Sequence, residues 1–325
     1  MNKSGRDLKQ LIFYFLALFT ILSTAGCLLQ QYFTYSDLSL SENKYLYNQV
    51  STTEEPPPTI NESQSPPEPK NSNTTSGHSS KLSNNLTEPL QPTPKIRPRI
   101  AIIIDDMGFQ KQIGHKLLDL PLNLTFSFLP YAPYTQKLEI IAYEKGRDIL
   151  LHLPMEPHDK NWNPGPSALY LTTSRIKLTK TIDDYLELVP HAIGANNHMG
   201  SRFTENRRAM RNVLHILQQR GMFFIDSFTT AKTVGMSEAI TMGIPTARRN
   251  VFLDNVHTRK NICHQLEELI ALAKKDGTAI GIGHPNPATL SALTQCGKQL
   301  LNEVELVSAH ELIGKPIVTA RHMAP

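Results

Sequence analysis

The chain has 325 residues, with 33 basic against 29 acidic and a formal net charge of +4. That length holds one large domain or two ordinary ones. The basic residues form no dense block in the second half, which argues against a nucleic-acid partner, because phosphate binding needs clustered Lys and Arg. The three cysteines, Cys27, Cys263 and Cys296, lack the close pairing of a zinc motif. A Cys263–Cys296 disulfide is compatible with the sequence and not fixed by it.

Lys3, Arg6 and Lys9 precede an apolar stretch over 11–29 that contains no charged residue. It approaches the roughly 20 residues needed to cross a bilayer as a helix, and the flanking positive charges predict a cytoplasmic N-terminus with the rest exported. Residues 1–29 are therefore expected to anchor the chain in a bacterial inner membrane, with the folded part in the periplasm. The stretch ends in STAGC at 23–27, so a lipoprotein modified at Cys27 and a cleaved secretory signal stand as alternatives.

Residues 30–98 are rich in Ser, Thr, Asn, Pro and Glu, with EEPPP at 54–58 and SPPEP at 65–69. Such a composition buries too little apolar surface to offset the entropy of ordering and predicts a disordered linker. As a flexible coil it reaches on the order of 45–50 Å.

The folded domain is expected over 99–325, where strand-length apolar runs alternate with segments of helical period. IAIIIDDMG at 100–108 reads as a strand buried on both faces that ends in two acids and a glycine. A helix follows over 111–120, a strand at 122–129 (LNLTFSFL), a helix over 135–145 and a short strand at 148–151 ending at His152. Further helices are read over 181–189, 206–220, 259–275 and 288–300, and strands at 193–195, 222–225, 278–282 and 305–307. The alternation predicts an α/β fold, an irregular (β/α) barrel of about seven strands, with an open doubly wound sheet as the alternative.

Several strands end in the same chemistry. Asp105 and Asp106 follow the first, His152 and then Glu156 the third, Asn196-Asn197-His198 the fourth, Asp226-Ser227 the fifth, and His284 a late one. Parallel strands bring such ends to one rim. Adjacent carboxylates repel unless a cation joins them or one holds a proton, and Asp, Glu and His are a ligand set for a divalent metal such as zinc. Taken singly, these have ordinary readings: Asp105 and Asp106 as a helix cap and a solvated acid, Asp226 as a cap, His152 as a backbone-bonded core histidine, Glu156 as a loop acid. Their coincidence at five strand ends points instead to metal-assisted hydrolysis.

In order, IAIIIDDMG, GRDILLHLPMEP, GANNHMGSRFT, FFIDSFTT and GIGHP resemble the divergent polysaccharide deacetylases, within the wider glycoside hydrolase/deacetylase superfamily. The resemblance covers residues 99 onward. It implies a general base at Asp105, a metal ligand at Asp106 and a general acid at His284. The wider family has a second histidine where this chain has Glu156, so the implied ligand set is Asp106, His152 and His198 with Glu156 in reserve. Asp226 and Asn197 then orient neighbours or contact substrate. The implied activity is N-deacetylation of an envelope glycan such as peptidoglycan. A catalytically decayed glycan-binding or scaffold protein on the same fold, and another metal hydrolase such as a glycan esterase or amidase, are the rival readings.

Overall fold

In the computed structural model the described residues are 97–297, 299 and 301–313. The expected anchor and all but the last residues of the expected linker lie outside them. Among the described residues, no helix is long and apolar enough to cross a membrane.

Among the described residues nine strands form one sheet: β1 (Arg99–Met107), β2 (Thr125–Phe128), β3 (Ile149–Met155), β4 (Gly194–Met199), β5 (Phe223–Asp226), β6 (Thr246–Arg248), β7 (Val251–Phe252), β8 (Thr278–Gly283) and β9 (Glu305–Leu306). Their order is β6-β5-β4-β3-β2-β1-β8-β7, with β9 added beside β1, and the pairs are parallel. The helices α1 (Lys111–Leu118), α2 (Thr135–Glu144), α3 (Arg175–Leu188), α4 (Ser201–Thr204), α5 (Arg207–Gln219), α6 (Gly235–Thr241), α7 (Arg259–Asp276) and α8 (Pro287–Ala292) connect them.

The sheet is rolled because its two edges are almost consecutive in sequence. β6 and β7 close opposite ends of the strand order, yet only Arg249 and Asn250 separate them. Eight strands laid flat would set these edges roughly 34 Å apart at normal strand spacing, whereas three Cα steps span at most about 11 Å. The seam between them is stitched by the linking residues. Arg249 N donates to Asp226 O at 3.0 Å, and Asn250 N donates to Ile280 O at 2.8 Å. The fold is thus the expected α/β barrel, left open at one seam.

Alternation along the strands separates two cores. Ile100, Ile102 and Ile104 face outward against helical residues such as Leu117, Leu138 and Leu266. Ala101, Ile103, Leu150, Ile225, Ile280 and Ile282 fill the interior, which Ala309 joins from the 3₁₀ turn Ala309–Leu312.

Several boundaries differ from the sequence reading. The helix expected at 181 begins at Arg175, because Ser174 caps it by accepting from Lys177 N. The helix expected over 288–300 turns into a π-helix at Leu293–Gly297. That segment carries Cys296, which is disulfide-bonded to Cys263 of α7 with Cα atoms 6.0 Å apart. α6 and the short strands β6 and β7 have no counterpart in the sequence reading, being too short to show a period.

Candidate metal centre and active site

The site continues the interior rows. Above Ala101 and Ile103 on β1 comes Asp105; above Leu150 on β3 comes His152; above Ile280 and Ile282 on β8 comes His284. On β4, Asn196 stands opposite His152 and His198 opposite Pro154. Strand alternation therefore delivers most of the site without special geometry.

Asp106 is the exception, since by alternation it would point outward. The pairing of β1 with β2 slips between Ile104↔Phe126 and Met107↔Phe128, so that Asp105 and Asp106 together oppose Ser127 alone. This is a β-bulge, which re-aims side chains. Asp106 takes φ 53°, a left-handed conformation costing on the order of 1–3 kcal/mol for a non-glycine residue. Gly108 follows at φ 120°, where a Cβ would lie 2.2 Å from Thr135 Oγ1, so no other residue fits the turn. Met199, the last residue of β4, and Phe228, two residues past β5, also have positive φ, 48° and 52°.

Asp106, His152 and His198 each offer a ligand atom, all within 4.8 Å of one another, and all three residues are buried. Asp106 Oδ1 lies 3.2 Å from His152 Nε2 and 2.9 Å from His198 Nδ1. Neither approach has hydrogen-bond direction, and Asp106 Oδ1 and both His198 ring nitrogens have no hydrogen-bond partner. Buried polar atoms are seldom left so. A cation among them satisfies carboxylate and imidazole lone pairs together, so the donor set fits a divalent metal.

The two aspartates sit in opposite electrostatic states. Burial pushes the Asp105 carboxyl up, only partly offset by His152, His284 and the Asn196 amide. Burial acts on Asp106 too, but His198 and His152 outweigh it and hold that carboxyl well below the usual range. For His152, burial opposes protonation, and the two carboxylates more than reverse it, raising its pKa. Asp105 Oδ2 lies 3.7 Å from His152 Nε2.

His284 is placed by a residue absent from the sequence reading. Asp254 is fully buried just past β7. It accepts from His284 Nδ1 at 2.9 Å, His284 N at 2.7 Å, Asn286 Nδ2 at 2.7 Å and Thr289 Oγ1 at 2.9 Å. Burial works against its ionisation, but His284 and these donors overcome that and lower its pKa. Phe252 lies against the His284 ring, with centroids 5.2 Å apart.

Asp105, His152, His198 and His284 line one recess with Asn197, Met199, Ser227, Thr229, Phe252 and Ile282. It has a cavity volume of about 30 Å³, room for a water or two.

Other expected site residues are engaged elsewhere. Glu156 Oε1 pairs with Arg202 at 3.0 Å and Oε2 accepts from Leu171 N at 2.8 Å, fixing the loop after β3. Asp226 faces outward, as its neighbour Ile225 faces inward. It accepts from Thr233 Oγ1, Met236 N and Phe228 N at 2.8, 3.1 and 2.9 Å. Asn197 lines the recess but spends its amide on Met199 O and Ser227 N, at 2.8 and 2.9 Å, tying β4 to β5.

A family profile described as divergent polysaccharide deacetylase matches residues 102–313, the span that carries the whole of this site. The chain belongs to the divergent polysaccharide deacetylases. Among similar proteins is YibQ of Escherichia coli K12, an uncharacterized protein 33% identical over 226 residues, covering 70% of each chain. An uncharacterized protein of Haemophilus influenzae is 32% identical over 214 residues, or 66% of this chain and 76% of that one. Among solved structures, the uncharacterized protein ATU2773 of Agrobacterium tumefaciens superposes with a TM-score of 0.62 at 25% identity. The match covers 68% of this chain and 91% of that one. The two chains share a fold.

Proposed function

We propose that the domain is a metal-dependent hydrolase that removes N-acetyl groups from a cell-envelope glycan such as peptidoglycan. The observation that carries this reading is the buried Asp106–His152–His198 cluster, whose unpartnered lone pairs converge. These three residues would hold the ion, and the family description supplies the substrate class, an acetylated polysaccharide. Zinc suits the one-carboxylate, two-imidazole donor set.

When bound, a divalent ion there polarises an acyl carbonyl and makes water a better nucleophile at neutral pH. The residues of the chain do the rest. Asp105, raised by burial and oriented by Asn196, is the general base that takes the proton of the attacking water. His284 donates its Nδ1–H to Asp254 and, as general acid, protonates the departing amine. The recess lined by Asp105, His152, His198 and His284 is where the acetyl end of a substrate would enter.

An exported placement, tethered through residues 1–98, agrees with the disulfide, which persists in oxidising compartments. The decisive experiment measures metal content and acetate release from N-acetylated glycan oligomers by the wild-type protein, Asp106→Ala and His198→Ala. About one zinc per chain with acetate release, both lost in the variants, is the expected result. Full metal content and activity in either variant rules this assignment out.

A further inference from the structure

Asn196 is fully buried on the inward face of β4, between the proposed base and a proposed ligand. Its Nδ2 donates to Asp105 Oδ1 and Oδ2 at 2.8 and 3.0 Å. Its Oδ1 accepts from Ser127 Oγ at 2.6 Å and from His152 Nδ1 at 2.8 Å. The amide has one orientation compatible with all four contacts, because turning it over would aim Oδ1 at a carboxylate. An oxygen facing His152 Nδ1 requires the proton there. The lone pair then falls on Nε2, the nitrogen 3.2 Å from Asp106 Oδ1.

We propose that Asn196 is a positioning residue with two separable duties. Its carbonyl oxygen fixes the His152 tautomer that presents Nε2 to a divalent cation, and its NH₂ group holds the Asp105 carboxylate beside the cluster. Ser127, which alone opposes the Asp105–Asp106 bulge, gives Oδ1 a second donor at 2.6 Å, while the acceptor-only Asp105 carboxylate sets the orientation of the amide. The inference rests on the metal reading above. A ligating histidine needs its other N–H held, and loss of the holder costs about 10–100-fold in metal affinity.

The duties separate by substitution. Asn196→Ala removes both, whereas Asn196→Asp keeps an acceptor for His152 Nδ1 and removes the donor to Asp105. The test uses the full chain stripped of metal, titrated with zinc chloride against a chromophoric chelator, with melting followed in parallel. N196A is expected to weaken zinc binding 10- to 100-fold, while N196D stays within about threefold of wild type. N196D nevertheless loses about tenfold or more of its acetate-releasing activity, through the displaced base.

An asparagine that merely packs would give two variants that track each other, N196D being the worse for burying another carboxylate. Wild-type zinc affinity in N196A, or equal losses in both, overturns the inference while leaving the metal reading intact. A wild-type chain that binds no divalent ion removes both. Should N196A fail to fold, Asn196→Leu, which keeps the volume and removes both polar duties, carries the same test: a loss of zinc affinity of about tenfold or more supports the tautomer lock, and an unchanged affinity overturns it.

Discussion

Asp105 and Asp106 are consecutive on one strand, yet both carboxylates reach the same ring nitrogen, His152 Nε2, at 3.7 and 3.2 Å. A regular strand would send them to opposite faces. The bulge opposite Ser127 and the left-handed Asp106 backbone cancel that alternation. The pair then divides in character, because His198 and His152 outweigh burial at Asp106, whereas His152, His284 and the Asn196 amide offset it only in part at Asp105.

That division has a signed consequence for the metal-free protein. Burial raises the folded pKa of Asp105 above its unfolded value near 3.8. Between those values the native state binds more protons than the unfolded chain, so this group's contribution to stability falls as pH rises through the window. Asp105→Asn is expected to melt higher than wild type at pH 7 in chelator, with the gap closing below about pH 4. The same variant loses about 10²–10⁴-fold in turnover when loaded with metal. Melting curves at two pH values and a deacetylation assay check both halves, and an unchanged turnover removes Asp105 as the base.

Asp254 gives the opposite sign. Its folded pKa is lowered, so its stabilisation is present above the unfolded pKa and is lost as pH falls through the folded one. Acid unfolding below about pH 4 should draw on it. Asp254→Asn should flatten that limb and cost about 1–3 kcal/mol at neutral pH by weakening its set of accepted hydrogen bonds. Equal acid sensitivity in the variant would contradict this placement.

Glu156 and Asp226 are expected to be dispensable for metal. Glu156→Ala loses the acceptor for Leu171 N and should cost about 1 kcal/mol. Asp226→Ala strands three donors and should cost about 1–3 kcal/mol. Both should keep wild-type zinc stoichiometry, measured on samples confirmed folded by circular dichroism. A loss of metal in E156A would return Glu156 to the ligand set.

The Cys263–Cys296 bridge closes a loop across a sequence separation of 33. Reducing it, or replacing both cysteines by serine, is expected to lower stability by about 2–4 kcal/mol. Denaturant titration with and without reductant reads this directly, and coincident curves would show that the crosslink contributes nothing.

The first strand, the late Gly-His-Pro turn and the amphipathic helix over 206–220 were legible because each is a long periodic run or a distinctive turn. Strand β4 was legible only in part: apolar reading stops at Ala195, whereas the strand runs through Asn196, Asn197 and His198 to Met199. Asn196 and Asn197 can be buried there because Ser127, Asp105, His152 and Ser227, remote in the chain, satisfy them, and no local pattern encodes such partners. Asp254 went unread for the same reason. It follows a two-residue strand, and its meaning comes from His284, 30 positions later in the chain.

What the sequence alone determined is the inventory: an apolar segment, a polar proline-rich segment and an α/β domain whose strands end in carboxylates and imidazoles, all properties of local composition and period. What only the tertiary structure decided is which of those groups meet. A bulge brought Asp106 to the inward face, strand parity turned Asp226 away from it, and a salt bridge to Arg202 drew Glu156 aside. Which candidate ligands converge is settled by facing and distance, and these are set by pairing between residues remote in the chain.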